Sequence, residues 1–152
     1  MKEIPLTRGL FAKVSDCDYE ELLKYKWYAV KCAKKYYARR CVGRNKKIYM
    51  HRQILGNRNL FADHKDGDGL NNTRDNLRWA DYAENNANRK NFAGESQFKG
   101  VSRRGDKYEA RIRHNGACIY IGSFDSEIEA ALAYDKKACA MHGEFAATNF
   151  VF

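Results

Sequence analysis

From residue 98 onward, apolar and polar positions alternate with the two-residue period of a strand. Tyr108, Ala110 and Ile112 fall on one side, and Glu109, Arg111 and Arg113 on the other. The pattern predicts three strands, over 98–103, 107–114 and 117–124. Their turns are Arg104-Gly105-Asp106 and one containing Asn115-Gly116, a dipeptide that strongly favours a tight hairpin. Ser126 with Glu129 then forms a capping box for a helix running to His142, where Gly143 supplies a stop. Alanines at 130, 131, 133, 138 and 140 let that helix lie close to a sheet. The prediction is a three-stranded antiparallel sheet packed on one helix.

The first half has a different texture. A strand is predicted over 11–15, followed by a helix through 19–24 capped by Asp16 or Asp18. A strand pair, 27–33 and 36–42, leads through a turn at Gly43-Arg44-Asn45 into a third strand, 47–50. Residues 61–64 are extended and run into a long polar loop, 65–75. A short extended segment follows at 76–80, and then Asp81 and Glu84 form a capping box for a helix through about Lys90. The fold class expected is α+β. A β-rich N-terminal domain covers 1–91, a linker 92–97, and the small sheet-and-helix domain 98–152.

Composition narrows the function. No apolar run of membrane-spanning length occurs, and the N-terminus lacks the apolar core of a secretory signal, so the cytosol of a host cell is the expected location. Five cysteines, odd in number and without a C-x-x-C pair, argue against a disulfide framework or a cysteine-ligated zinc; they are expected to be buried, reduced thiols. The net charge of +9 is carried by residues 1–91, with 20 Lys+Arg against 11 Asp+Glu, while 92–152 hold 8 of each. Between Lys31 and Arg58 there are ten basic residues, no acid, and Tyr36, Tyr37 and Tyr49 interleaved. A one-sign run with aromatics points to a polyanion.

Cutting a phosphodiester requires an activated water, neutralisation of the phosphate charge and stabilisation of the departing oxygen. A neutral imidazole can take the proton of water, and a hard cation bound by oxygen ligands can do the rest. Asp63 and His64 offer these two donor types side by side, and Asn85 on the following helix offers an amide oxygen. Asp66 and Asp68 suggest a calcium loop, but the twelfth position is Leu77, which carries no acid.

The run DHKDGDGLNNTRDNLRWADYAENNANRK resembles the HNH endonucleases of the phage and intron homing type. Its motif residues here are His64, Asn76 and Asn85, an H-N-N variant, and Tyr49-Met50-His51-Arg52 is similar to the family's upstream M-H-R element. The resemblance implies a ββα-metal core over about 48–91. His64 is then the general base, and Asp63 and Asn85 hold one Mg²⁺ (or Mn²⁺) per active site. Asn76 pins the loop so that His64 points correctly. Arg78 and Arg89 are candidates for flanking phosphates. His51 is left between packing and a direct contact to phosphate or metal, with Arg52 beside it as a further DNA candidate.

Residues 97–150 resemble the apetala-2/ethylene-response-factor DNA-binding domain. The resemblance is carried by Phe98-Lys99-Gly100-Val101, by the stretches 108–113 and 120–125, and by Ala130 to Asp135 and Asn149-Phe150. It implies that the sheet lies in the major groove. The candidate contacts are Lys99, Arg103, Arg104, Arg111, Arg113 and Tyr120. Lys99 departs from the family's arginine and lacks its bidentate fork.

The combined expectation is a divalent-metal-dependent DNA endonuclease that leaves 5′-phosphate and 3′-hydroxyl ends on double-stranded DNA. It is expected to act as a monomer or weak dimer, with no membrane and no obligate protein partner, and to be carried by a phage or mobile intron. The rival readings are a non-enzymatic DNA-binding regulator with a relic nuclease domain and an RNA-directed nuclease.

Overall fold

Two separate apolar clusters organise the chain. A computed structural model describes residues 1–56, 58–88 and 96–151. It divides into two units, Met1–Asp81 and Tyr82–Phe152. Both are mixed α and β, and no described helix is long and apolar enough to cross a membrane.

In the first unit, β1 (Lys2–Pro5) pairs antiparallel with β2 (Phe11–Val14), which leads into α1 (Asp16–Leu23). Neither Asp16 nor Asp18 caps α1. Ser15 holds the cap position, Asp16 pairs with the N-terminal amine, and Asp18 accepts two bonds from Arg74 at 2.7 and 2.8 Å. A second sheet follows, β3 (Tyr28–Cys32), β4 (Lys35–Val42) and β5 (Lys46–Tyr49), antiparallel throughout. The chain then turns into α2 (Met50–Leu55), a helix the alternation did not predict. Two antiparallel strands, β6 (Phe61–His64) and β8 (Leu77–Ala80), flank the polar loop. Within that loop β7 (Asn71–Asn72) pairs parallel with β2, setting Asn72 opposite Val14. Ile4, Ala12, Val14, Leu22, Trp27, Ala38, Met50, Ile54 and Leu77 form the core that ties these small sheets together. Trp27 also donates its indole N–H to the Leu22 carbonyl at 2.8 Å.

The second unit begins with α3 (Tyr82–Ala87). Its sheet is β9 (Val101–Arg104), β10 (Lys107–His114) and β11 (Ala117–Phe124), with β10 in the centre, packed on α4 (Glu127–His142). The β10–β11 turn has positive φ at both Asn115 (49°) and Gly116 (81°), as a type I′ hairpin requires. Ser126 caps α4 by accepting from the Ile128 N–H at 3.2 Å. Three of the five alanines pack as expected: Ala130, Ala131 and Ala138 are buried against Val101, Ala110 and Ile112, with Tyr134 among them, whereas Ala133 is half-buried and Ala140 exposed. Gly100 lies so close to the Tyr134 ring and the Arg111 carbonyl that no Cβ fits there, and its φ of +77° favours glycine independently.

The five cysteines are free thiols but exposed, not buried. Cys32 ends β3 and Cys41 lies near the end of β4, both beside residues that are not buried, while Cys118 lies beside Ile119, which packs on the second core.

Candidate active site

Asp63 and His64 end β6, and the pairing with β8 fixes what lies opposite each. Asp63 stands across from Arg78, whose Nε donates to Asp63 Oδ2 at 3.0 Å in an ion pair with both side chains 9% exposed. Directly opposed charges stabilise an antiparallel pair. The Arg78 side chain is thus turned toward Asp63.

His64 is 5% exposed. Its Nε2 lies 3.3 Å from the Asn72 side-chain oxygen, and Asn72 is itself fully buried. The Asn72 amide group donates to the Leu70 carbonyl at 3.1 Å, so its oxygen is the atom turned toward His64. The proton of the neutral ring then sits on Nε2 and its lone pair on Nδ1. Burial lowers the His64 pKa below its ordinary value, against the opposing pull of Asn72 and the carboxylates of Asp66, Asp63 and Asp68. A lowered pKa keeps the ring neutral at neutral pH, the state a general base needs.

The loop after His64 is held by Asn76. Its side-chain amide donates to Asp66 Oδ1 at 2.9 Å and to the Asn71 carbonyl at 2.8 Å, while its oxygen accepts from the Asp66 N–H at 3.1 Å. The Asn76 main-chain carbonyl also accepts from Lys65 N–H at 2.9 Å. Asp66 further accepts from Asn71 and from the Asp68 N–H, so its oxygens serve the loop.

His51, on α2, meets the His64 ring edge-on at 5.0 Å and stacks on Tyr49 at 5.4 Å. Tyr37 of β4 lies edge-on to both, 6.0 Å from His51 and 5.9 Å from His64. His51 is 8% exposed, and its buried Nδ1 has no hydrogen-bond partner among the described residues. Burial, followed by the charges of His64 and Arg52, pushes its pKa down to about 3. Arg52 donates to the Leu60 carbonyl at 3.2 Å.

Asp63, His64, His51, Asn76 and Arg78 thus come together in the first unit. Asn85, half-buried on α3, belongs to the second, and Arg89 lies outside the described residues. In the sequence Tyr37 stands out only as one of the aromatics interleaved with the basic run, and Asn72 not at all. Asn72 had no local signal, because it acts through a parallel pairing with a strand more than fifty residues earlier.

Among the described residues no three His, Cys, Asp or Glu side chains cluster to cage a metal. In the first unit, the donor that fits a divalent cation is a hard oxygen ligand, the Asp63 carboxylate. A carboxylate has about four lone-pair sites, so the Arg78 bond to Oδ2 is compatible with a cation on the same group. A carboxylate suits Mg²⁺, which keeps several waters and takes one or two protein oxygens besides phosphate.

In the second unit, the outer face of the sheet carries Arg104, Lys107, Glu109, Arg111 and Arg113. Arg111 bonds Glu109 at 2.9 Å and lies 5.7 Å from the centre of the Tyr120 ring across the strand pair. Two candidates are placed otherwise. Arg103 is opposite Tyr108, on the other face of the sheet, and bonds the Gly105 carbonyl. The Lys99 ammonium donates to the Ala87 carbonyl at the end of α3.

No protein-family profile matches the chain. An uncharacterized HNH endonuclease of Acanthamoeba polyphaga mimivirus is 32% identical over 149 residues, covering 93% of this chain and 76% of the viral protein. APETALA2-like protein 2 of rice is 43% identical over 60 residues, and the ethylene-responsive transcription factor LEP of Arabidopsis thaliana 45% over 60. Each plant match covers 38% of this chain, but only 14% and 28% of the plant proteins.

Proposed function

Because the chain belongs to the HNH endonuclease family, we propose that it is a divalent-metal-dependent DNA endonuclease of the homing type, which hydrolyses a phosphodiester to 5′-phosphate and 3′-hydroxyl ends. The observation that carries this reading is the neutral, buried His64, oriented by Asn72 and set beside the Asp63 carboxylate.

His64 accepts the proton of the attacking water at the ring nitrogen that Asn72 leaves unprotonated. Asn76 acts through the loop, fixing the backbone that leaves β6 so that His64 keeps its direction. Asp63 and Asn85 are the residues that would hold Mg²⁺ or Mn²⁺. When bound, the cation supplies charge neutralisation at the phosphate and at the leaving 3′ oxygen. Arg78 holds the Asp63 carboxylate in place. In this reading residues 1–91 form a ββα-metal nuclease domain, and the sheet of the second unit biases the enzyme toward its duplex target through Arg104, Arg111, Arg113 and Tyr120. The plant matches support double-stranded DNA as the partner of that sheet.

The test is to incubate the protein with duplex DNA and with single-stranded RNA, each with Mg²⁺ or with EDTA. Cleavage of the duplex with Mg²⁺ alone is expected. Cleavage of the RNA with the duplex left intact would overturn the choice of substrate.

A further inference from the structure

The sheet β3–β4–β5 has two unlike faces. One carries Ala29 and Ala38, buried toward the core, and Arg40, which stacks 3.9 Å over Tyr25 and bonds Gln53. The register places Tyr28, Arg39 and Tyr49 in one row across the other face, with Tyr37 and Lys35 further along β4 and Lys47 on β5.

On this second face the side chains form a connected ladder. The Arg39 guanidinium lies 5.3 Å from the Tyr28 ring centre and 5.7 Å from that of Tyr49, and its Nε donates to the Tyr28 hydroxyl at 3.1 Å. Tyr49 stacks on His51, with 20° between the rings, and His51 abuts His64. Tyr37 touches Tyr49, His51 and His64 in turn. At the other end of β4, Lys35 Nζ lies over the loop that follows His64, 3.2 Å from where a Cβ on Gly67 would stand. Lys47, exposed, shares this side of β5 with Tyr49, whose ring contacts lead to the proposed base, and the segment Lys31 to Arg58, which supplies all of the face but Tyr28 and His64, contains no acid.

Cations held in place by aromatic rings are what a nucleic-acid strand needs: phosphates meet the guanidinium and ammonium groups, and sugars or bases meet the rings. We infer that this face is a DNA-binding track of the nuclease unit itself, on which Arg39, Lys47 and Lys35 bind phosphates of the strand leading to the bond cut at His64. It rests on the nuclease reading but adds a DNA-binding surface separate from the sheet of the second unit.

The test uses the full chain, a fluorescent duplex of random sequence, and EDTA to prevent cutting, so that binding is read without activity. Each phosphate that the protein no longer neutralises lowers the slope of log K against log salt by about 0.9. The Arg39→Gln/Lys47→Gln double variant is expected to lower the slope by about 1.8, twice that single-phosphate value. A control pair on the surface around α1, Lys2→Gln/Lys24→Gln, is expected to leave it unchanged. Circular dichroism and a urea midpoint confirm that both variants are folded. An unchanged slope in the first pair, an equal fall in both pairs, or no salt-dependent binding by the wild type overturns the track. If the slope falls as expected while Mg²⁺ produces no cleavage, the track stands as a binding surface and the nuclease reading alone fails.

Discussion

Acid is expected to destabilise the first unit through His51. The unfolded chain binds a proton at this residue near pH 6.5, while the folded site resists it until about pH 3. Folding therefore has its full His51 contribution above pH 6.5 and loses it progressively as pH falls toward 3. Each unit of the shift is worth about 1.4 kcal/mol, so the loss is about 2 kcal/mol at pH 5 and on the order of 5 kcal/mol by pH 3. The physical cause is burial of the imidazole between Tyr49, Tyr37 and His64, reinforced by the charges of His64 and Arg52. The assay is urea unfolding between pH 7 and pH 4.5, followed by tryptophan fluorescence. Both tryptophans, Trp27 and Trp79, lie in the first unit, so the signal reports that unit. His51→Phe keeps a ring against Tyr49 and removes the titration. The wild-type minus variant difference in unfolding free energy should shrink by about 2 kcal/mol between pH 7 and pH 5. A difference that stays flat over this range refutes the argument, because carboxylates common to both proteins cancel.

Arg78→Met removes the guanidinium from a buried carboxylate and should lower first-unit stability by about 3–5 kcal/mol; a second change, Asp63→Asn, should recover part of it, and simple additivity in the double-mutant cycle would contradict the pair. Asn72→Ala leaves buried carbonyls without their donor, costing about 1–3 kcal/mol, and frees the His64 ring; single-turnover nicking at the wild-type rate by the folded variant would show that Asn72 positions nothing. Gly100→Ala forces a Cβ into the Tyr134 ring at positive φ. A loss of about 1–3 kcal/mol is expected in the second unit only, so a shifted tryptophan transition would contradict the separation of the two cores.

The second unit was the more legible half because its signals are local. Alternation in 107–114, the Asn115-Gly116 turn and the Ser126 cap each act within a few residues. The first unit hides its organisation in long-range pairings. Lys2–Pro5 has one buried apolar residue and a proline, too little to mark a strand without β2 beside it. Met50–Leu55 is too short for helical periodicity, although Met50, His51 and Ile54 turn out to share its buried side. Asp63, His64 and Asn76 could be picked out as motif residues. Their wiring could not: Asn72 reaches His64 only because β7 runs parallel to β2, and Arg78 faces inward only because β8 sets it across from Asp63. Arg103 lies on the helix side of its sheet because Val101, two residues before it on β9, is buried in the second core.

The most direct measurement is nicking of a supercoiled plasmid by the wild type and by His64→Ala, with Mg²⁺ present. The account predicts open-circular product from the wild type, sealed again by a ligase that requires 5′-phosphate and 3′-hydroxyl ends, and none above background from the folded variant. Equal nicking by His64→Ala, or a wild type that shifts DNA yet leaves the plasmid intact with both Mg²⁺ and Mn²⁺, would contradict it.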